Sequence, residues 1–281
     1  MRLEDQIKLA AEVVREADAI LIGAGAGMGV DSGLPDFRGN QGFWKAYPII
    51  ARLGLSFSEM ANPTWFRRSP NLAWAFYGHR LNLYRKTTPH AGFARLLRLA
   101  SAKPEGYFVY TSNVDGHFQK AGFPAGRIVE CHGSIHHFQC AQPCSDRIWP
   151  SEDEVVNVDE ERFSALDPLP RCEACLGLAR PNVLMFGDAL WIPNRLAVQE
   201  RAWSAWLKGV SRLRAKLVAI EMGAGTAVPS VRFAAESIVG AYNGRLIRIN
   251  PRETEVPEGQ IGLACGAAEG IARLCDALGL A

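Results

Sequence analysis

The sequence predicts an α/β protein, a doubly wound (Rossmann-like) parallel sheet carrying a smaller second domain, and three observations carry that prediction. Six short apolar runs recur along 281 residues, separated by stretches long enough for crossover helices. The first run passes straight into glycines, as a buried parallel strand does where it turns toward a helix. Two segments of different composition interrupt this rhythm.

Leu3, Ile7, Ala10, Ala11 and Val14 recur at helical spacing, so the chain opens on a helix. AILIGA (19–24) is the first strand. From about 43 to 100 the text turns aromatic and helix-like around AWAFYGHRLNLYRK. YFVYTSN (107–113) and RIVEC (127–131) resume the strands. From about 138 to 180 the chain is loop-rich, with four cysteines, prolines and an acidic stretch. NVLMF (182–186), KLVAIE (216–221) and RLIRIN (245–250) complete the strand set. We therefore expect a sheet domain of residues 1–42, 101–137 and 181–281, and a small domain of 43–100 and 138–180. The cleft between them is where ligands bind in such folds.

The formal charge is +2, with both signs mixed along the chain, which calls for neither a nucleic-acid groove nor a membrane-surface helix. No stretch approaches the roughly 20 apolar residues of a membrane span. The N-terminus carries acids among its apolar residues, unlike a signal peptide, and seven cysteines make an odd count for a disulfide framework. Together these point to a reducing cytoplasm. Nothing in the sequence speaks to oligomeric state.

Four motifs carry candidate chemistry. Glycines 23, 25, 27 and 29 alternate after the first strand, as in a loop that brings backbone N–H groups to a pyrophosphate. Met28 or Val30 stands where a strict GxGxxG needs glycine, so a tight strand-to-helix turn fits equally. Cys140, Cys144, Cys172 and Cys175 form CAQPC and CEAC, two close thiolate pairs of the kind that closes a tetrahedral structural zinc site, the other reading being buried thiols. Cys131, Cys265 and Cys275 fall in strand or helix segments and read as small core residues. Asn113 and Asp115 lie where a strand ends, at the ligand-binding edge of an open sheet or in an Asx turn. His132 ends the RIVEC run and fits a structural or a catalytic role alike.

The motifs in this order resemble the sirtuins, NAD-dependent protein-lysine deacylases, over about residues 15 to 275. GAGMGVDSGLPDFRG (25–39) is similar to the family's GAG...SGIPDFRG, TSNVDG to TQNID, ECHGS to its HG, and RPNVLMFGD (180–188) to RPxVVxFGE. The cysteine pairs match its zinc ribbon, which would make the small domain helical plus zinc ribbon. The resemblance implies that Gly25, Ala26, Gly27, Asp36, Phe37 and Arg38 form the loop over NAD, and that Asn113 and Asp115 hold the nicotinamide pocket with Leu34. It makes His132 the general base, with Asn113 beside it in catalysis, and places His136 and His137 on the strand into the ribbon. Val183, Phe186 and Gly187 would line a tunnel for acylated lysine of a peptide that adds as a strand. Gly223, Gly225, Thr226, Asn250 and Ala268 would hold the adenosine half. The chain departs from the family at Ser112, where glutamine is usual, at Gly29 for serine, at GAGTAVP (223–229) for GTS, and at Asp188 for glutamate.

In FYGHR (76–80), Tyr77 and Arg80 share a helix face, and this YxxR pair resembles bacterial-type sirtuins that remove succinyl and malonyl groups. A guanidinium fork beside a phenol suits a carboxylate. The expected function is NAD-dependent removal of succinyl, malonyl or acetyl groups from lysine, releasing nicotinamide and O-acyl-ADP-ribose. The alternatives are a mono-ADP-ribosyltransferase or NAD glycohydrolase, and a non-catalytic NAD-binding sensor.

Overall fold

A computed structural model describes residues 2–36 and 39–280. Helix α1 (Leu3–Arg15) leads into β1 (Ala19–Ala24) and a short α2 (Gly27–Val30). Five helices follow, α3 (Gly39–Ala46), α4 (Pro48–Arg52), α5 (Phe57–Met60), α6 (Trp65–Arg68) and α7 (Pro70–Lys86), and then α8 (Gly92–Ser101). The chain continues through β2 (Tyr107–Thr111), α9 (His117–Lys120), β3 (Ile128–Glu130), β4 (Gly133–Cys140), β5 (Ile148–Pro150), β6 (Val158–Asp159), β7 (Ser164–Ala165) and β8 (Ala179–Val183). It ends with α10 (Asn194–Arg212), β9 (Leu217–Met222), α11 (Ser230–Ala241), β10 (Arg245–Ile249), β11 (Ile261–Leu263) and α12 (Ala267–Ala277).

The main sheet runs β11-β10-β9-β1-β2-β3, with every pairing parallel. All six residues of β1 and of β9 are buried, because helices cover both faces and neither face can be polar. One face packs the apolar stripes of α1, α8 and α12, including the predicted Ile7, Ala10, Ala11 and Val14. The opposite face packs α10 and α11 through Val210, Ala235 and Val239, with Trp203 and Trp206 set against Phe108 and Val129. The predicted doubly wound α/β class is what the chain adopts.

A second apolar cluster forms apart from the sheet. It joins α3 to α7 with β4, β5 and β8 around Phe43, Trp74, Phe76, Tyr77 and Phe138. Here β4 pairs antiparallel with β5 and β8. One expectation fails at this point. NVLMF (182–186) is not a strand of the parallel sheet: only its first two residues are extended, at the end of β8, and β8 pairs with β4. Apolar content marked the segment as buried but carried no information on its partner. The sixth parallel strand is β11, whose three residues include a glycine.

Phe93, Leu96, Leu99 and Ala100 of α8 belong to the sheet's cluster, and we propose a module boundary after α7. Among the described residues no helix is long and apolar enough to cross a membrane.

Candidate active site and metal centre

The sequence-predicted residues collect where the parallel strands end. Gly25 follows β1, Ser112 and Asn113 follow β2, His132 lies two residues beyond β3, Gly223 follows β9 and Asn250 follows β10. Parallel strands all finish on one edge, so residues far apart in sequence meet there by topology alone.

The glycines of the first loop serve chiefly to bring two strand ends together. The Gly25 and Gly27 N–H groups donate to the Met222 and Gly223 carbonyls at 3.0 Å each. A Cβ on Gly25 would sit 2.6 Å from the Ala224 Cα, and one on Gly223, where φ is +60°, would sit 2.5 Å from the Gly27 backbone. No larger residue fits either place. Those two N–H groups are therefore spent inside the protein, and it is Ala26, exposed between them, that offers open backbone to a ligand. Asn113 braces this turn by donating from Nδ2 to the Gly25 carbonyl at 3.0 Å.

Beyond the loop, a Cβ on Gly29 would meet the Leu34 side chain at 3.0 Å and Asp115 Oδ2 at 3.5 Å, so Leu34 and Asp115 converge on one spot. Asp115 is buried, and its Oδ1 accepts from the His117 N–H at 2.9 Å. Burial pushes the Asp115 carboxyl up to about 6, the His117 backbone bond working against that rise. Asp36 lies at the rim, where it pairs with Arg252 at 2.5 Å. Phe37 and Arg38 lie outside the described residues.

His132 is tied in from both sides. Its carbonyl accepts from the Leu184 N–H at 3.0 Å, and its Nε2 lies 3.2 Å from the Ser230 hydroxyl. Burial holds the ring below the ordinary histidine value, with a hydrogen bond to the Ser112 backbone acting in the opposite sense. A neutral imidazole is the form that accepts a proton.

On the other flank, Asn250 is fully buried and donates to the Ala224 carbonyl at 3.0 Å, while its Oδ1 accepts from the Arg252 and Glu253 N–H groups at 3.0 and 3.1 Å. Thr226 gives its hydroxyl and its N–H to Glu253, at 2.5 and 3.2 Å. Gly225 stands between Ala224 and Thr226 in this loop, and the Ala268 N–H, in the first turn of α12, donates to Asp31 at 2.8 Å.

Across the cleft, Val183 is buried at the end of β8, Phe186 is 41% exposed, and Gly187 turns the chain at φ +68°. The Phe186 ring meets Phe57 edge-on, centroids 6.2 Å apart. Behind Phe57 lies the Arg80 guanidinium, 5.9 Å from that ring and 5.1 Å from Phe76. Arg80 donates from Nε and Nη2 to the Tyr84 hydroxyl at 3.1 and 3.0 Å. Among the described residues the Tyr77 hydroxyl is buried without a hydrogen-bond partner, and burial pushes it up to about 12, so it stays a donor.

The four cysteine sulfurs all lie within 4.8 Å of one another, with Cys140–Cys175 and Cys144–Cys172 each at 3.7 Å. A tetrahedron with metal–sulfur bonds of about 2.3 Å has sulfur–sulfur edges of about 3.8 Å. The donor set and its size fit zinc.

Sequence reasoning missed three participants. His136 donates from Nε2 to the Asp115 carbonyl at 2.8 Å, bracing the loop after β2 from the strand into the ribbon. Ser230 and Glu253 touch His132 and Thr226 respectively. A lone serine or glutamate in a helical or polar stretch gave no signal, and the pair of histidines at 136 and 137 did not say which would turn inward.

A family model described as the Sir2 family matches residues 25–203. A protein of Aquifex aeolicus (strain VF5) named NAD-dependent protein deacylase is 30% identical over 238 residues, 83% of each chain. One of the same name from Thermus thermophilus is 28% identical over 277 residues, covering 96% of this chain and 94% of that one. A solved Sir2 homologue in complex with NAD superposes with a TM-score of 0.68 at 25% identity, over 96% of this chain and 94% of that one. With a matched family model over most of its length and a sheet edge built as described, the chain belongs to the Sir2 family, the sirtuins.

Proposed function

We propose that this sirtuin is an NAD-dependent protein-lysine deacylase that removes succinyl and malonyl groups, with acetyl also in its range. The observation that carries the acyl preference is the path from Phe186 through Phe57 to Arg80. It supports a tunnel whose far end holds a guanidinium and, beside it, the unpartnered Tyr77 hydroxyl. The names of the relatives support the deacylase reading itself.

NAD, when bound, supplies an electrophilic ribose carbon and a nicotinamide leaving group. In this reading Ala26, with Gly25 and Gly27 fixing its turn, and Asp36 border the pyrophosphate and ribose. Leu34, Asn113 and Asp115 hold the nicotinamide, with Ser112 at its side. Gly223, Gly225, Thr226, Asn250 and Ala268 border the adenosine. Val183, Phe186 and Gly187 keep the acyl-lysine in line and shut out water. His132 takes a hydroxyl proton at Nε2. Zinc would be held by Cys140, Cys144, Cys172 and Cys175, where it fixes structure and leaves no position open for catalysis.

The test is nicotinamide release from NAD in the presence of succinyl-, malonyl- and acetyl-lysine peptides, by the native chain and by Arg80→Met. Release should require the acyl peptide. Loss of a charge-assisted contact should lower succinyl turnover about ten- to a hundredfold in the variant, and leave acetyl turnover within about threefold. Equal losses would remove the carboxylate role, nicotinamide without peptide would favour a glycohydrolase, and label carried from NAD to protein would favour a transferase.

A further inference from the structure

Ser230 opens α11 immediately after Pro229, at the end of the loop where this chain departs from the family's GTS. Its hydroxyl lies 3.2 Å from His132 Nε2, a contact between positions 98 residues apart. It is carried by a rigid element, since Val231, Ala235 and Val239 of the same helix are buried against the sheet. With Nε2 facing Ser230, the ring's bond to the Ser112 backbone falls to Nδ1, which keeps the proton there in the neutral ring and leaves the Nε2 lone pair toward the serine. We infer that Ser230 is a positioning residue for the base: its hydroxyl holds the ring by donating to neutral Nε2, and turns to accept from Nε2 once the ring has gained a proton. The inference rests on the reading of His132 as general base.

The balance between these two states has a direction. A hydrogen bond to a charged partner is the stronger, so the hydroxyl favours the imidazolium over the neutral ring. The N-terminus of α11, with its partial positive charge, acts the other way, as does burial. Neighbouring titratable groups are engaged elsewhere: Cys131 with Tyr110, and Glu130 with Arg195 at 2.5 Å. Among the described residues no charged side chain shifts His132. Ser230 thus joins the Ser112 backbone in supporting the ring's charge as the base does its work, and it is the one side-chain hydroxyl at Nε2 among the described residues.

The experiment is a histidine-ring titration by NMR on the zinc-loaded full chain, the His132 signal assigned by its absence from His132→Ala. It is run beside steady-state turnover for native protein, Ser230→Ala and Ser230→Thr. Alanine is a good helix former at a half-buried position, and thermal melting confirms that the variant is folded. In Ser230→Ala the His132 midpoint should fall by about half a unit, the acid limb of kcat/KM should follow it downward, and kcat should drop about three- to tenfold with KM for NAD unchanged. Ser230→Thr should restore all three. A midpoint that stays or rises in Ser230→Ala, or a threonine variant that behaves like alanine, overturns the inference. Full turnover by His132→Ala would instead overturn the base assignment, and the NMR midpoint would still decide the Ser230 contact.

Discussion

The carboxyl of Asp115 sits between Gly29, Leu34 and the His117 N–H, in a place chosen by the fold and poor for a charge. Its titration moves from 3.8 up to about 6, with burial as the largest cause. The native state therefore holds this proton more tightly than the unfolded chain does. Stability from this group is full below about 4 and is lost as pH rises from there through 6, so at pH 8 the ionised side chain is a net cost. Asp115→Asn keeps an acceptor for the His117 N–H and removes the charge. It should be more stable than the native chain at pH 8, by at most about 3 kcal/mol, and show only about a third of that gain at pH 4.5, while NAD-dependent turnover falls. Paired melting curves at the two pH values check this, and equal differences at both would remove burial of charge as the cause. The sequence showed Asp115 at a strand end but not this tension, which depends on Gly29 and Leu34 closing over it. It placed His136 on the strand into the ribbon but gave no sign of its bond to the Asp115 carbonyl.

At the scale of elements, β4 and β8 link the metal centre to the chemistry. Cys140 ends β4, Cys172 and Cys175 precede β8, and the same two strands begin or end at Gly133 and Val183, next to the Leu184–His132 backbone bond. A Cβ on Gly133 would lie 2.1 Å from the Asn182 carbonyl, so the strands touch at that end with no room to adjust. A four-thiolate centre supplies folding energy outright. Chelation, or Cys172→Ser, should therefore loosen β4 and β8, abolish turnover and bring on aggregation, read by light scattering and circular dichroism. A zinc-free protein that stays folded and fully active would reduce the cysteines to packing. These elements also mark what the text could specify. CAQPC and CEAC were legible because ligand spacing is a local constraint, and AILIGA and KLVAIE because strands buried on both faces are apolar throughout. NVLMF misled because hydrophobicity is blind to partner, and IGL at β11 went unseen because three residues hold no period. The boundary we propose after α7 was hidden because the apolar stripe of α8 reads alike whichever core it faces.

At the scale of the whole molecule, two apolar clusters meet along a seam, and the proposed contact residues are drawn from the elements of both. The sheet cluster presents Gly25, Asn113, Gly223 and Asn250 on one side, and the other cluster presents Phe57, Tyr77, Arg80 and Val183. Hydrogen bonds cross it, among them Leu184 N–H to the His132 carbonyl at 3.0 Å and Lys120 Nζ to the Arg85 and Thr87 carbonyls at 2.8 and 2.7 Å. If ligands add more, they should do so in order. NAD at about a hundred times its Kd stabilises by about 2.7 kcal/mol, a rise of about 5 °C in Tm for a chain of this size. Hydrogen exchange should then slow first in the loops after β1, β2 and β9. Adding a succinyl-lysine peptide should extend protection to residues 183–187 and the α5–α7 face if, as proposed, the peptide's backbone pairs there and its acyl chain reaches Arg80. Protection spreading to both sides with NAD alone would mean that the dinucleotide closes the seam by itself, and would contradict the division of labour between the two cores.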